Sequence, residues 1–369
     1  MQNNPLKIVT WNANGLIQRS LEFKQFILNH RPDIVLVSET HFTSKSFITI
    51  PNYKIFSTNH PSGRGHGGSA IIVKNKIKCS EAQVYNFEYI QSSTIEIETD
   101  IGNINVSAIY CPPKHTISTI QYTDFLKRLG PRFVIGGDFN AKHIHWGSRM
   151  TNTKGKYLMA SILNNNSSHI STGEPTYWPA DQSKKPDLID FFIYKGISSN
   201  NMSIQSCFDL SSDHSPIILN IAHNPVHNNI NQKIHNLKTN WFLFREILEE
   251  TLCPKIPLKT DNEIESAIVE LNYAVINASI QSTPIPKPQN SYTHTPPAIQ
   301  RLIKRKRKLR KTWQSTRYPV DKTNFNKATS DLKKALKNVE EESIRKKLSS
   351  LTATSATDYS LWKATKDLT

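Results

Sequence analysis

No run of about 18 apolar residues occurs anywhere in this 369-residue chain, so a membrane-crossing helix is excluded. The opening, MQNNPLKIVTWN, lacks the basic-then-apolar layout of a secretory signal. Cysteine is scarce: Cys79, Cys111, Cys207 and Cys253 form no CxxC pair and have no histidine at zinc spacing. That excludes a zinc knuckle or a disulfide scaffold and suits a reducing compartment, each thiol serving as a small buried hydrophobe. No internal repeat is visible. The glycine-rich run Gly63–Gly68 (GRGHGG) lacks phosphate-loop spacing and no GK[ST] follows, so a tight hairpin turn is expected there.

Acidic residues are in deficit, 30 against 46 basic ones, for a net charge of +16. The excess is uneven. Residues 1–222 hold 21 Lys and Arg against 16 Asp and Glu, whereas residues 223–369 hold 25 against 14. A chain this basic calls for a polyanionic partner such as nucleic acid.

What is present in the first 222 residues is a series of short apolar runs. Lys7–Trp11, Asp33–Ser38, Ser69–Lys74, Asn103–Tyr110, Arg132–Gly136, Leu188–Tyr194 and Pro216–Ile221 read as buried strands. Thr94–Glu98 alternates and is expected to be half exposed. Helices are expected over Leu21–Asn29, Ile117–Leu129 and Lys154–Asn164. Strands in this arrangement suit two sheets packed face to face and covered outside by helices. Residues 223–240 are polar and Asn-rich, a linker. Beyond it the pattern turns helical. Thr260-Asp-Asn-Glu263 is a capping-box signature, Thr295-Pro296 opens a second helix, and a third runs from about Asp321 to Leu351. A Pro-rich loop, Pro284–Pro297, lies between helices.

Several polar residues stand at strand ends: Asn12, Glu39, Asp138 and Asn140 after strands, and Asp213 and His214 before one. Loops at strand ends can converge on one point. Asp190, inside LIDFF, is a carboxylate in an apolar run and needs a partner if buried; His214 is the obvious candidate. Glu39 can offer a hard cation its oxygens. The amides of Asn12 and Asn140 can donate to phosphate without adding repulsion. A histidine oriented by a carboxylate can carry a proton or stabilise an oxyanion. His143, His145 and Trp146 could touch DNA, and Trp178 is expected in the core.

The segments TWNANGL, VSETHF, AIYCPP, IGGDFN and SSDHSP, in this order, resemble the exonuclease–endonuclease–phosphatase superfamily. More closely, GRGHGGSAIIVK, YCPPKHTIS, GGDFNAKHIHWGSR, PTYWP and PDLIDFF resemble the apurinic-type endonuclease of jockey-group non-LTR retrotransposons, over about Leu6 to Ile221. The resemblance implies an α/β (α+β) fold: a four-layer αββα sandwich of two packed mixed sheets over residues 1–222, followed by a mostly helical region. It implies Mg2+, or Mn2+ in its place, bound by Glu39, with Asn12 positioning metal and phosphate and Asp213 near the metal. Asp138 would align or activate the attacking water, Asn140 would contact the scissile phosphate, and Tyr110 would reach it through its hydroxyl. His214, held by Asp190, would stabilise the pentacovalent transition state, while Thr176 and Ser212 shape the substrate site. Whether Asp138 or His214 is the base stays open.

The stretch Arg301–Lys311 (RLIKRKRKLRK) has eight basic residues in eleven. Arg305, Lys306 and Arg307 at its centre are candidates for nucleic-acid backbone contact, or for nuclear import after cytoplasmic synthesis. The bland alternative is a solvated helix with Ile299, Leu302, Ile303, Leu309 and Trp313 turned inward. In the resembled proteins a basic helical connector, here residues 241–369, leads to a reverse transcriptase, and Tyr359–Thr369 looks like the stretch just upstream of it. No YADD-like motif follows, so the chain is expected to be a fragment or truncated copy. The expected activity is nicking of target DNA to leave a 3′-hydroxyl that primes reverse transcription, with DNA and element RNA as partners and no membrane. A repair-type abasic-site endonuclease and an inactive nucleic-acid-binding remnant are the alternatives, with a lipid or nucleotide phosphatase of the same superfamily a more distant one.

Overall fold

Runs of β-branched residues form strands here because both of their faces are covered. In the computed structural model, residues 5–82, 84–227, 235, 239–252, 258–284 and 295–349 are described. The strands are β1 (Leu6–Asn12), β2 (Ile34–Ser38), β3 (Tyr53–Thr58), β4 (Ser69–Lys74), β5 (Cys79–Glu81), β6 (Tyr85–Phe87), β7 (Ile90–Thr99), β8 (Gly102–Tyr110), β9 (Phe133–Asp138), β10 (Ser168–Ile170), β11 (Asp190–Lys195), β12 (Met202–Ser206) and β13 (Ile217–Ile221). The helices are α1 (Ser20–His30), α2 (Thr119–Arg128), α3 (Thr153–Asn164), α4 (Trp241–Thr251), α5 (Asp261–Ser282), α6 (Pro297–Thr316) and α7 (Pro319–Ser349).

One sheet runs β12-β13-β1-β2-β4-β3 and the other β10-β11-β9-β8-β7-β5, with β6 also on β7. Both are mixed. β1 and β2 are parallel, joined by α1, and β8 and β9 are parallel, joined by α2. Parallel neighbours need such a crossover. Ile8, Leu36, Ile71, Val106, Val134 and Phe192 interdigitate between the sheets. Phe23, Phe26 and Ile27 of α1 cover the outer face of one sheet, and Tyr122, Phe125, Leu158 and Ile162 of α2 and α3 cover the other. This is the four-layer αββα sandwich. The two glycines ahead of Asp138 make room for it: a Cβ on Gly136 would lie 2.5 Å from Phe192 on the neighbouring strand β11 and 2.9 Å from Leu36 across the sandwich, and one on Gly137 would lie 2.0 Å from the carbonyl oxygen of Ile109.

Two local expectations differ from the structure. Thr94–Glu98 belongs to the longer β7 and is mostly buried, because Ile95 and Ile97 pack into the core between the sheets and β8 and β5 flank the strand on either side; only Glu96 and Glu98 are half exposed. The segment with Gly63–Gly68 is no tight turn, since β3 and β4 pair only up to Thr58 and Ser69 and leave a ten-residue loop.

The chain divides into two compact units, Met1–His227 with His294–Thr369, and Asn228–Thr293. This departs from the expected boundaries. Residues 223–227 are pinned to the sandwich, where Val226 donates to the Glu98 carbonyl and accepts from Lys78. The expected connector is split, because α6 and α7 bury Ile299, Ile303, Leu332 and Leu336 in one cluster with Leu21 of α1. The second unit holds α4 and α5; Thr260 and Glu263 close the expected capping box at the start of α5. Cys253, most of the Pro-rich loop and Tyr359–Thr369 lie outside the described residues.

α6 is also held by ions. Arg307 grips Asp209 through two hydrogen bonds of 2.6 and 2.7 Å, and His30 adds a third at 2.6 Å. Burial works to lower the His30 pKa, but hydrogen bonding to Asp209 and Cys207 outweighs it and raises the value to about 9. A raised folded-state value means the stabilisation is full below the unfolded value of about 6.5, declines above it and is gone past about 9. Replacing His30 by Gln should therefore cost about 1–2 kcal/mol at pH 6 and almost nothing at pH 9.5, by urea unfolding. An equal cost at both would disprove the ion pair. His30, Cys207 and Asp209 bring ligand-type atoms within 4.8 Å of one another. With Arg307 and His30 already on Asp209, the group is an ion-pair cluster.

Candidate active site

Strand register brings the site together. Asn12 pairs with Ser38, the residue before Glu39; Tyr110 pairs with Asp138, and Asp138 with Asp190. Ser38 ties the two sheets at this edge, its hydroxyl donating to the Ile109 carbonyl at 2.8 Å and accepting from the Asp138 amide at 3.2 Å. The expected residues Asn12, Glu39, Tyr110, Asp138, Asn140, Asp190 and His214 thus share one edge of the sandwich.

Asn12, fully buried, donates from its amide nitrogen to Glu39 and to Asp138, each at 2.8 Å. Its oxygen accepts from the Asn14 amide at 2.9 Å. Asn12 therefore bridges the two carboxylates. Asp138 also accepts from the backbone and side-chain nitrogens of Asn140, at 2.9 and 3.0 Å. Asn14, Glu39, His41 and Asn140 all have left-handed backbones, with φ of 44°, 51°, 55° and 46°. Such strain collects where a site over-determines its geometry.

His214 stands between two acids. Its Nδ1 meets Asp190 at 2.7 Å, and its Nε2 faces Asp138 at 3.9 Å, beyond hydrogen-bond reach. Thr176 donates to the same Asp190 oxygen at 2.6 Å and accepts from the Asp190 amide at 3.0 Å. Ser212 donates to the carbonyls of Asn12 and His214, at 2.7 and 3.0 Å, and accepts from the Trp11 indole. Both hydroxyls are buried and spent on the protein. They position Asp190 and the His214 loop and so shape the site from behind.

The charges follow from this packing. Burial works to raise the Glu39 carboxyl, but hydrogen bonds from His41 and Asn12, with the charge of His214, hold it below its usual value. Burial, then repulsion from Asp190, pushes Asp138 well up. Burial opposes charge on His214, yet Asp190, Asp138 and Asp213 raise it to about 10, so the ring is an imidazolium at neutral pH. Burial and the charges of Glu39 and Asp138 keep the Tyr110 hydroxyl protonated, a donor. Asp213, half buried, takes a hydrogen bond from Asn14 at 3.3 Å. An ionised carboxylate at Glu39 suits a hard divalent cation. Asp138, Asp190 and His214 also bring ligand-type atoms within 4.8 Å of one another.

Other expected contacts fall away. Lys306 is fully buried and pairs with Glu22, and Arg307 is committed to Asp209; of the three central basic residues only Arg305 is free of such a partner among the described residues. Trp146 is buried against Phe191, so only His143 and His145 of that group reach the surface. Trp178 is half buried, donating to the Pro175 carbonyl at 3.1 Å. Ser38, His41 and Tyr177, whose ring lies 5.0 Å from His214, were not foreseen. The ETH sequence around Glu39 was the available signal for His41.

Two mixed sheets with carboxylates, amides and a histidine gathered at one edge define a phosphoesterase-type sandwich. The Endonuclease/Exonuclease/phosphatase family model matches residues 9–214, and the chain belongs to that family. It is 31% identical over 369 residues to the probable RNA-directed DNA polymerase from transposon BS of Drosophila melanogaster, covering 99% of this chain and 41% of that protein. It is 30% identical over 375 residues to the RNA-directed DNA polymerase from mobile element jockey of the same species, covering 99% and 40%. The chain thus spans about two fifths of these relatives' length. Among solved structures, the endonuclease domain of TRAS1, a telomere-specific non-LTR retrotransposon, shares the fold with a TM-score of 0.50 and 21% identity, covering 59% of this chain and 98% of that one. The AP endonuclease LMAP from Leishmania major also gives a TM-score of 0.50, at 14% identity, covering 58% and 87%.

Proposed function

We propose that this chain is a Mg2+-dependent endonuclease that nicks DNA and leaves a 3′-hydroxyl from which an element polymerase primes reverse transcription. The observation that carries the reading is the buried line Asp190–His214–Asp138, met at Asp138 by the Asn12–Glu39 bridge. Glu39, with Asp213 beside Asn14, would hold the cation, whose charge offsets that of the phosphate; Mn2+ suits the same oxygens. Because His214 is already an imidazolium, Asp138 is the group left to take a proton; raised by burial to about 8, its carboxyl is ionised in full only above that value, so nicking should quicken as the pH rises through about 8. Water oxygen bonds to phosphorus, its proton passes to Asp138, and the bond from phosphorus to the 3′-oxygen breaks, that oxygen taking a proton from solvent to become the 3′-hydroxyl. His214 Nε2–H, not engaged by Asp138 at 3.9 Å, can donate to the phosphate oxygen gaining charge. The Tyr110 hydroxyl and the second amide hydrogen of Asn140 are further donors. Arg301, Lys304, Arg305 and Lys308, on the exposed side of α6, suit a nucleic-acid backbone.

Supercoiled plasmid, an abasic duplex and a phosphoinositide, each with and without Mg2+, separate the readings. Metal-dependent nicking of undamaged plasmid is expected. Cleavage confined to the abasic duplex would move the assignment to repair, and binding without cleavage would favour an inactive remnant. Glu39→Gln should raise the Mg2+ concentration for half-maximal nicking by about 10-fold or more; an unchanged metal requirement would remove Glu39 from the ligand set.

A further inference from the structure

α6 turns one stripe inward: Ile299, Ile303, Lys306, Arg310, Trp313 and Gln314. Two of these are basic, and both are fully buried. Lys306 reaches Glu22, the Asp209 carbonyl and, at 3.1 Å, the Ser211 hydroxyl. Arg310 has no ion-pair partner among the described residues. Its Nη2 donates to the carbonyls of Ser212 and His214, at 3.2 and 3.0 Å, and to the Ser215 hydroxyl at 3.3 Å. Burial lowers Arg310 to about 10, which still leaves it charged at neutral pH.

A buried charge costs several kcal/mol unless polar atoms are fixed around it, so the loop and the guanidinium hold each other in place. The two carbonyls flank Asp213 and belong to the segment that carries His214. We infer that Arg310 is a positioning residue for the nuclease, and that α6, lying beyond the matched family residues 9–214, is part of the catalytic module. Lys306 clamps the start of the same loop, at Asp209 and Ser211. The inference rests on the nuclease reading for its consequence and on the geometry for its mechanism. Arg310 acts through the backbone at His214, so it should affect turnover and leave substrate affinity alone. Outward Arg305 should do the reverse.

The test uses the full chain with Arg310→Ala, Arg310→Lys and Arg305→Ala. Arg310→Ala is expected to lower kcat for plasmid nicking about 10- to 100-fold with KM within about twofold. Millimolar methylguanidinium should restore part of that loss, and Arg310→Lys should fall between. Arg305→Ala should raise KM and leave kcat. Hydrogen exchange at the Ser212–Ser215 amides, which needs no activity, should quicken by about 10-fold or more in Arg310→Ala while β1 and β9 stay protected. If wild type does not nick, the functional reading fails, and the exchange experiment still decides the clamp. Unchanged exchange, or an unchanged kcat in a folded variant of an active enzyme, would overturn the inference.

Discussion

Asp138→Asn should lower kcat for plasmid nicking by about 10^3- to 10^4-fold while DNA binding and folding are kept. Asp138 accepts from Asn12 and Asn140 and faces Asp190 across the strand pair. Asparagine keeps the volume and removes a carboxylate under repulsion but turns an NH2 toward one of these donors, so the sandwich should unfold at a similar or slightly lower urea concentration. What is lost is an acceptor for the water's proton. Because His214 is already charged, no neighbour can take over that role. A variant retaining a tenth of the wild-type rate would assign the base elsewhere, and a large rate loss accompanied by loss of folding would leave Asp138 structural.

Asp190→Asn should cost about 10^2- to 10^3-fold in kcat with little change in KM. Asp190 touches neither solvent nor the space beyond His214; it holds Nδ1 at 2.7 Å and in turn is held by Thr176 at 2.6 Å. An asparagine there keeps the volume, removes the charge that raises His214, and can present an N–H to Nδ1. The imidazole would then be neutral at pH 7 and free to turn. The pH profile separates this from a packing defect. In wild type, His214 stays charged to about pH 10, so its protonation does not limit the rate between pH 6 and 9. In Asp190→Asn the rate should fall on raising the pH through about 6–7, the range of an unassisted histidine. A uniform loss at every pH would disprove the electrostatic role.

The gathering of these residues at one edge could be read from residue type and order, because each motif ends a strong strand: Glu39 after a run of buried aliphatics, Asp138 after two glycines whose missing side chains admit Phe192 and Ile109. The partnership of Asp190 with His214 followed from the cost of an unpaired carboxylate in an apolar run. The inward stripe of α6 was harder to see. Its apolar positions are interrupted by Lys306 and Arg310, and a charged residue on a helix reads as solvated unless its partners are known. Those partners are backbone carbonyls about a hundred residues away, which no local pattern encodes. Short strands such as β5, β6 and β10, three residues each, were missed for a related reason: they are set by pairing with a long neighbour and not by their own composition. The bridge that Asn12 makes between Glu39 and Asp138 was not legible, since an amide's orientation depends on which neighbours present acceptors.

The most direct measurement is of the ends that the full chain makes. Supercoiled plasmid is incubated with the protein and Mg2+, and the relaxed product is offered to a DNA polymerase with labelled nucleotides. Mg2+-dependent nicks that are extended at once, and that disappear with Asp138→Asn, are expected. Absence of nicking by the folded protein, or nicks that require removal of a 3′-phosphate before extension, would contradict the assignment.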